Sequence, residues 1–266
     1  KAEAKDSNVS EVSGDSKSTS SSTANKSSSS TAKPAHAKYI EGAKKIDGLL
    51  TLYKKDEKLY LELKSANYTP EYIVLLSIAR GIGSGPLLGG MSWGFGDDWV
   101  WQFRKIDDNV HIIRKNVRFK ATKGSPEASA VQNAYTDSVL FSMPIVSQGP
   151  KGGDLIDLTP VFFSDLPQIS DTLPGFSFSA SKSTWAKVKG FEKNIELEVA
   201  ATYASSGRLE LDTVADSRGA TINVHYSISK IPTNGYTPRV ADDRVGYFIT
   251  AVKGIYSTSD GATLVR

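Results

Sequence analysis

The sequence predicts a β-rich α+β fold: mostly antiparallel sheets, arranged as a sandwich or as two packed β blocks, with few short helices. Three observations carry that expectation. Apolar and polar residues alternate with a period of two in several stretches, among them Leu59, Leu61 and Leu63, and Ile195 through Tyr203. Clusters of turn-forming residues separate those stretches. Helix-start signatures are few, and the clearest is Ser125-Pro126-Glu127: an N-cap, a proline at the first helical position and an acid in the first turn.

Residues 39–46 predict one or two helical turns, with Tyr39, Ile40 and Ala43 on one face, Glu41, Lys44 and Lys45 towards water, and Gly48 as the stop. Strand character follows. Leu50 and Leu52 alternate with Thr51 and Tyr53. After a charged turn over residues 54–57, Leu59, Leu61 and Leu63 alternate with Lys58, Tyr60 and Glu62, giving a hairpin with one buried face. Residues 72–79 are apolar in both phases, the pattern of a central strand. Trp99, Trp101 and Phe103 alternate with Val100, Gln102 and Arg104, and a turn at Asp107-Asp108-Asn109 leads into a strand over residues 110–120. There the apolar phase slips from Val110 and Ile112 to Ile113, Val117 and Phe119, which places a bulge near Ile112.

The helix that opens at Ser125 runs to Tyr135 and is expected to bury Ala130, Val131 and Ala134. Residues 139–146 form a strand that Pro144, lacking an N–H, assigns to a sheet edge. A short strand over 155–158 and one helical turn within 160–167 follow. A Ser/Pro/Gly-rich segment, 164–183, joins a first β-rich block, about 48–160, to a second, about 184–255. In the second block Ile195, Leu197, Val199, Ala201 and Tyr203 oppose Glu196, Glu198, Ala200 and Thr202. Leu209 and Leu211 come next. Ile222, Val224, Tyr226 and Ile228 then oppose Thr221, Asn223, His225 and Ser227, and residues 247–252 make a last apolar strand. The blocks together form one β-rich domain, 37–255, with one core or two and no internal repeat. Residues 1–36, dominated by Ser, Thr, Lys, Ala, Asp and Glu, predict a disordered Ser-rich tail or linker, because they cannot bury enough apolar surface to offset the entropy of ordering.

Residues 80–103 hold the densest glycine of the chain, between one strand that enters and one that leaves. Gly81 and Gly83 begin a dinucleotide-type spacing, but its third glycine would fall at position 86, which is Pro86, and no Lys-Ser or Lys-Thr follows. The stretch therefore reads as a long structural loop.

Composition narrows the function classes. The formal charge of +3 is too small for a nucleic-acid surface. The absence of cysteine excludes disulfides, thiolate metal sites and cysteine nucleophiles. No apolar run reaches the roughly 20 residues of a membrane-spanning helix. The chain begins at Lys1 rather than Met, as expected of a fragment or of a processed form. Asn8, Asn25 and Asn67 head glycosylation-type triplets, which matter only in a eukaryotic secretory pathway.

The three histidines, His36, His111 and His225, are far apart in sequence, and a catalytic zinc site takes three protein ligands, so no zinc motif is present. Ser, His and Asp all occur, without a Gly-x-Ser-x-Gly elbow. Carboxylate pairs stand at Asp97-Asp98, Asp107-Asp108 and Asp242-Asp243. The second reads as a turn. Arg239 and Arg244 bracket the third and point to an ion-pair network in a loop, or else, with His225, to a hydrolytic site. Trp93, Trp99, Trp101 and Trp185 suit a carbohydrate or peptide groove, although the alternation of Trp99, Trp101 and Phe103 is first a core face.

Several words of the sequence occur together: Gly48-Leu49-Leu50-Thr51-Leu52-Tyr53-Lys54, Leu59-Tyr60-Leu61-Glu62, Ala79-Arg80-Gly81-Ile82-Gly83, Asp98-Trp99-Val100-Trp101-Gln102-Phe103, Asn116-Val117-Arg118-Phe119 and Ala134-Tyr135-Thr136-Asp137-Ser138. Later come Asp157-Leu158-Thr159-Pro160, Ser164-Asp165-Leu166-Pro167, Val224-His225-Tyr226-Ser227 and the long run from Tyr236-Thr237-Pro238-Arg239 through Asp242-Asp243-Arg244 to Gly246-Tyr247-Phe248. Over about 40–255 these words resemble the non-catalytic N-terminal region of large bacterial zinc-dependent metalloproteases, in which a metzincin-like domain with a His-Glu-x-x-His helix lies downstream. The resemblance implies an exported protein (periplasmic, outer-surface or secreted) with its signal peptide removed. It implies an accessory role beside the protein's own catalytic domain, with a peptide or protein as substrate. It places zinc in the downstream domain and no cofactor here, and it makes residues 256–266 the start of a connection to that domain. The zinc helix is absent from this sequence, so no catalytic or metal-binding residue carries over. Two other expectations stand beside it: a glycan or cell-surface binding module using exposed aromatics, and a standalone hydrolase using Asp242, Asp243 and His225.

Overall fold

The computed structural model describes residues 36–94, 99–205, 210–236, 244 and 253–255. Its strands are β1 Lys44–Ile46, β2 Thr51–Lys55, β3 Lys58–Leu63, β4 Tyr72–Arg80, β5 Ser92–Trp93, β6 Trp99–Ile106, β7 Asn109–Arg114, β8 Phe119–Lys120, β9 Ser138–Gln148, β10 Asp154–Asp157, β11 Phe176–Phe178, β12 Thr184–Gly190, β13 Asn194–Ser205, β14 Ala220–Lys230 and β15 Lys253–Gly254. The α-helices are short: α1 His36–Ile40, α2 Pro126–Ala134 and α3 Thr159–Phe162.

One antiparallel sheet runs in the order β1-β2-β3-β10-β9-β7-β6-β4-β14-β13-β11, with β12 also on β13 and β5 also on β4. The two β-rich blocks of the sequence are parts of this single sheet, because β4 of the first pairs with β14 of the second from Tyr72↔Lys230 to Arg80↔Asn223. The sheet curls until its ends meet, as a nearly closed barrel. At the seam β12 touches the β2–β3 hairpin and the turn before β2. Trp185 Nε1 donates to the carbonyl of Glu57 (3.1 Å), and Leu49 N donates to the carbonyl of Phe191 (2.6 Å). Gly48 makes the second contact possible, since a Cβ there would lie 2.7 Å from Phe191 N and O.

The inner face forms one apolar core. Leu52, Leu61, Ile78, Trp101, Ile112, Ile156, Leu197, Val224 and Tyr226 come from eight different strands and are almost wholly buried. The turn of α3 inserts Phe162 among them, against Trp101, Tyr226 and Trp185. Each such side chain contributes about 1.5–3 kcal/mol through its removal from water. The period-two pattern is the direct cause: the inward phase of each strand is apolar, and a sheet closed on itself needs only one apolar face.

Several local expectations are corrected. Helix α1 spans His36–Ile40 and ends at Gly42, whose φ of +73° favours glycine; the residues expected to continue the helix instead form β1. The outer face of the β2–β3 hairpin is not bare: Tyr53 and Glu62 are buried there, and Tyr53 donates to Glu62 Oε2 at 2.8 Å. Gly149 and Gly153 let the overlying loop close on Glu62; a Cβ on Gly153 would lie 2.4 Å from Glu62 Oε1. The bulge near Ile112 exists, with the extra residue on the partner strand: Ile112 faces Phe141 and Ile113 faces Val139. Residues 110–120 are two strands rather than one.

Helix α2 begins at its expected N-cap, Ser125 Oγ accepting from Ala128 N at 3.2 Å, but buries none of Ala130, Val131 and Ala134. It is held by its ends instead, where Tyr135 stacks on Phe119 with ring centroids 3.7 Å apart. Strand β9 is not an edge: it pairs with both β7 and β10. Pro144 is tolerated because it sits at the final register pair with β7, opposite Asn109, and beyond the last pair with β10. The 164–183 segment is not a mere connector, since Ile169, Leu173 and Phe176 from it are core residues. The expected strand over 247–252 lies outside the described residues, as do the tail 1–35 and residues 256–266.

The glycine-rich stretch is a built hairpin rather than an open loop. Ile82 N donates to Leu87 O, Ile78 N to Met91 O and Gly90 N to Ile78 O, so the chain turns back on β4 and brings β5 alongside it. Ile82 and Leu87 enter the core. Gly81 permits the fold-back, because a Cβ there would lie 2.0 Å from Leu87 O.

Candidate functional site

Among the described residues, the outer face of the sheet carries a concentration of chemically active side chains across β4, β14, β13 and β12. Register places it. Ser77 lies opposite His225, His225 opposite Glu198 and Glu198 opposite Lys187, in one row of four strands. The adjacent row is Leu75, Ser227, Glu196 and Lys189. All belong to the outward phase of strands whose inward phase is core, a phase that is polar on β12, β13 and β14 and mostly apolar on β4.

The groups hold one another. Glu198 Oε2 takes a bond from Lys187 Nζ (2.6 Å) and Oε1 takes one from Asn223 Nδ2 (2.8 Å). Burial pushes the Glu198 carboxyl up, but these two donors outweigh it and hold the group below its ordinary range. Glu196 Oε1 accepts from Ser227 Oγ (2.7 Å) and from the Asn194 side-chain amide. Glu196 Oε2 is buried and lies 2.6 Å from His225 Nε2, within ion-pair distance. On the other side of the ring, Nδ1 of His225 is 3.4 Å from Ser77 Oγ. A depression of about 470 Å³ opens over the cluster, bounded by Ala79, Lys187, Lys189, Phe191, Glu196, His225 and Ser227.

The order Ser77–His225–Glu196 matches that of a nucleophile, a base and an orienting carboxylate. The backbone at Ser77 is flanked by ladders with β14 and with β5, and an acyl-transfer site needs free N–H donors where an oxyanion would form. Among the described residues the row is thus a polar network without that second half. Nor does it make a metal centre: both oxygens of Glu198 are engaged, which leaves His225 and Glu196, and among the described residues no group of three or more His, Asp or Glu could hold a metal ion.

The other sequence candidates are dispersed. His36 Nδ1 is 3.1 Å from Ser147 Oγ, and its ring stands edge-on to Tyr53. His111 lies opposite Arg104 and Ser142. Asp107 and Asp108 are the turn between β6 and β7, with Asp107 at φ +49°. Asp97, Asp98, Arg239, Asp242 and Asp243 lie outside the described residues. Trp99 and Trp101 are core, Trp93 Nε1 donates to Pro167 O (2.7 Å), and Trp185 packs on Phe162 and Phe163. Ser77, Lys187, Glu196 and Glu198 were not singled out as site residues. For Lys187, Glu196 and Glu198 the signal was the polar phase of their strands, while Ser77 stands in a strand apolar in both phases; they become a cluster only once the pairing of β4, β14, β13 and β12 is known.

No curated protein matches this chain, and no solved structure does. A family model matches residues 95–263, more than half of the sequence, and the chain therefore belongs to the family described as Domain of unknown function (DUF5117).

Proposed function

We propose that residues 37–255 act as a non-catalytic accessory domain of an exported bacterial zinc-dependent metallopeptidase, scaffolding or covering the cleft of a catalytic domain further along the same polypeptide. The observation that carries this reading is how the buried and half-buried carboxylates are used. Asp154 is held by Lys105, Tyr68 and Gln148, Asp165 by Tyr203 and the amides of Ile169 and Ser170, and Glu198 by Lys187 and Asn223. Each fixes one part of the fold to another, which is the work of a scaffold, and a carboxylate so saturated is a poor base or nucleophile. The sequence words shared with the metalloproteases supply the partner: a zinc-bearing domain that acts on peptides or proteins.

The test is to compare the complete gene product with a version lacking residues 37–255. Peptide turnover, bound zinc and export to the periplasm or medium are followed in both. Loss of folding or of turnover in the shortened protein is expected. Unchanged turnover would overturn the scaffold role, and a complete product without zinc would overturn the peptidase assignment.

A further inference from the structure

We propose, independently of the accessory reading, that the outer face of β12, β13 and β14 binds an uncharged oligosaccharide, with the Phe191 ring as platform and Lys187, Lys189 and Ser227 as polar contacts. Three features support it. The first is Phe191 itself, an aromatic residue 48% exposed that borders the depression beside Lys187, Lys189, Glu196 and Ser227. Its backbone is fixed: Phe191 N donates to Asn194 O (2.8 Å) and Phe191 O accepts from Leu49 N (2.6 Å). A ring on a rigid turn offers flat apolar area at little entropic cost, which suits the C–H face of a sugar.

The second is the preorganised polar row. Ser227 and Asn194 hold Glu196, and Lys187 and Asn223 hold Glu198, so donors and acceptors alternate over the depression without needing to be ordered by the ligand. Sugar hydroxyls, which both donate and accept, match such an alternation. The third is charge and size. Lys187 and Lys189 balance Glu196 and Glu198, which gives no net field to attract a polyanion or a polycation. The depression of about 470 Å³ falls within the range of about 300–1,000 Å³ typical of small-molecule sites.

The experiment is native electrophoresis of the full chain through gels containing soluble polysaccharides: hydroxyethylcellulose, mannan and xylan as neutral probes, and alginate as an acidic one. Retarded migration by at least one neutral polymer is expected. Phe191→Ala and Lys189→Ala should each reduce that retardation at least several-fold, while Leu75→Ala on the same face leaves it unchanged. Circular dichroism melting checks that each variant is folded; both substitutions are at exposed positions, and either one suffices. The proposal is overturned by no retardation with any neutral polymer, by retardation with alginate alone, or by retardation that survives both substitutions.

Discussion

Tyr203 on β13 donates a 2.6 Å hydrogen bond to Asp165 Oδ1, so the longest strand of the sheet is tied to the segment that precedes β11. The same carboxylate accepts from Ile169 N (2.9 Å) and Ser170 N (3.2 Å) and thereby caps the turn that places Ile169 in the core. Tyr203→Phe removes one bond of this set and should cost about 1–2 kcal/mol in urea unfolding. Asp165→Ala removes the acceptor for all of them and should cost more than about 2 kcal/mol. Equal costs for the two variants would mean that the cap contributes nothing.

Alkaline pH should destabilise the domain through its buried tyrosines. Burial, followed by the neighbouring carboxylate Asp165, pushes the Tyr203 hydroxyl well up, and burial does the same to Tyr226. Burial and the bond to Glu62 push Tyr53 up to about 12. A folded-state pKa raised above the unfolded value gives stability that is complete below about pH 10, the ordinary tyrosine value, and lost as pH rises from there through the folded values. The urea midpoint should therefore fall above about pH 10, with the tyrosinate absorbance of these buried residues rising only as the chain unfolds. Tyrosinate that appears fully before unfolding would contradict the burial.

Acid acts through Asp154. Burial pushes its carboxyl up, but bonds from Lys105, Tyr68 and Gln148 prevail and hold it below the ordinary range. A depressed pKa gives stability that is present above the unfolded value, about 4, and is lost as pH falls through the folded one. Asp154→Asn should cost about 1–3 kcal/mol at pH 7. The gap between wild type and variant should narrow as pH drops below about 4. A gap that does not change with pH would show that the charge of Asp154 is immaterial.

Two glycines of the 81–91 hairpin should respond differently to alanine. At Gly81 the new Cβ would lie 2.0 Å from Leu87 O, a backbone atom that cannot swing away, so Gly81→Ala should cost more than about 2 kcal/mol. At Gly85, φ is +53° and nothing lies within 4 Å of the Cβ, so Gly85→Ala should cost only about 1–2 kcal/mol, the left-handed backbone penalty. Thermal melting of the two variants distinguishes these outcomes, and the reverse order would refute the fold-back.

Ser125→Ala should remove the N-cap of α2, worth about 1 kcal/mol to the helix. Because α2 has no buried residue, the loss should be local: faster amide exchange over residues 126–134 with little change in global unfolding. A matching global loss would mean that α2 packs more closely than its exposure indicates.

The sequence was most legible where one physical cause acted alone. Inward phases such as Leu59, Leu61 and Leu63, or Ile222 through Ile228, are set by burial on one face, and their period of two announced a β-rich antiparallel fold. The cap at Ser125 and the turn at Asp107 are local chemistry and were readable for that reason. What escaped depended on distant neighbours. Pro144 signals an edge unless the β9–β10 pairing is known to stop at Ile145. Tyr53 and Glu62 look solvent-facing until Gly149 and Gly153 bring a loop over them. Residues 164–183 look like a linker until Asp165 and Tyr203 are seen to join. The outer-face row was invisible for the same reason, since Ser77 and Glu196 become neighbours of His225 only through pairing between distant strands.

That pairing also dictates an order of events at the ribosome. Ser77 and His225 are 148 positions apart, and β4 can complete its ladder only after β14 has emerged. Until then one whole margin of a nine-residue apolar strand is bare, although its other margin is already taken by β6 and β5. Closing so long a loop is slow. A nascent chain halted before residue 220 therefore holds out an unfinished sheet, with Ile73 and Leu75 along it, and is the form of this protein that most needs a chaperone.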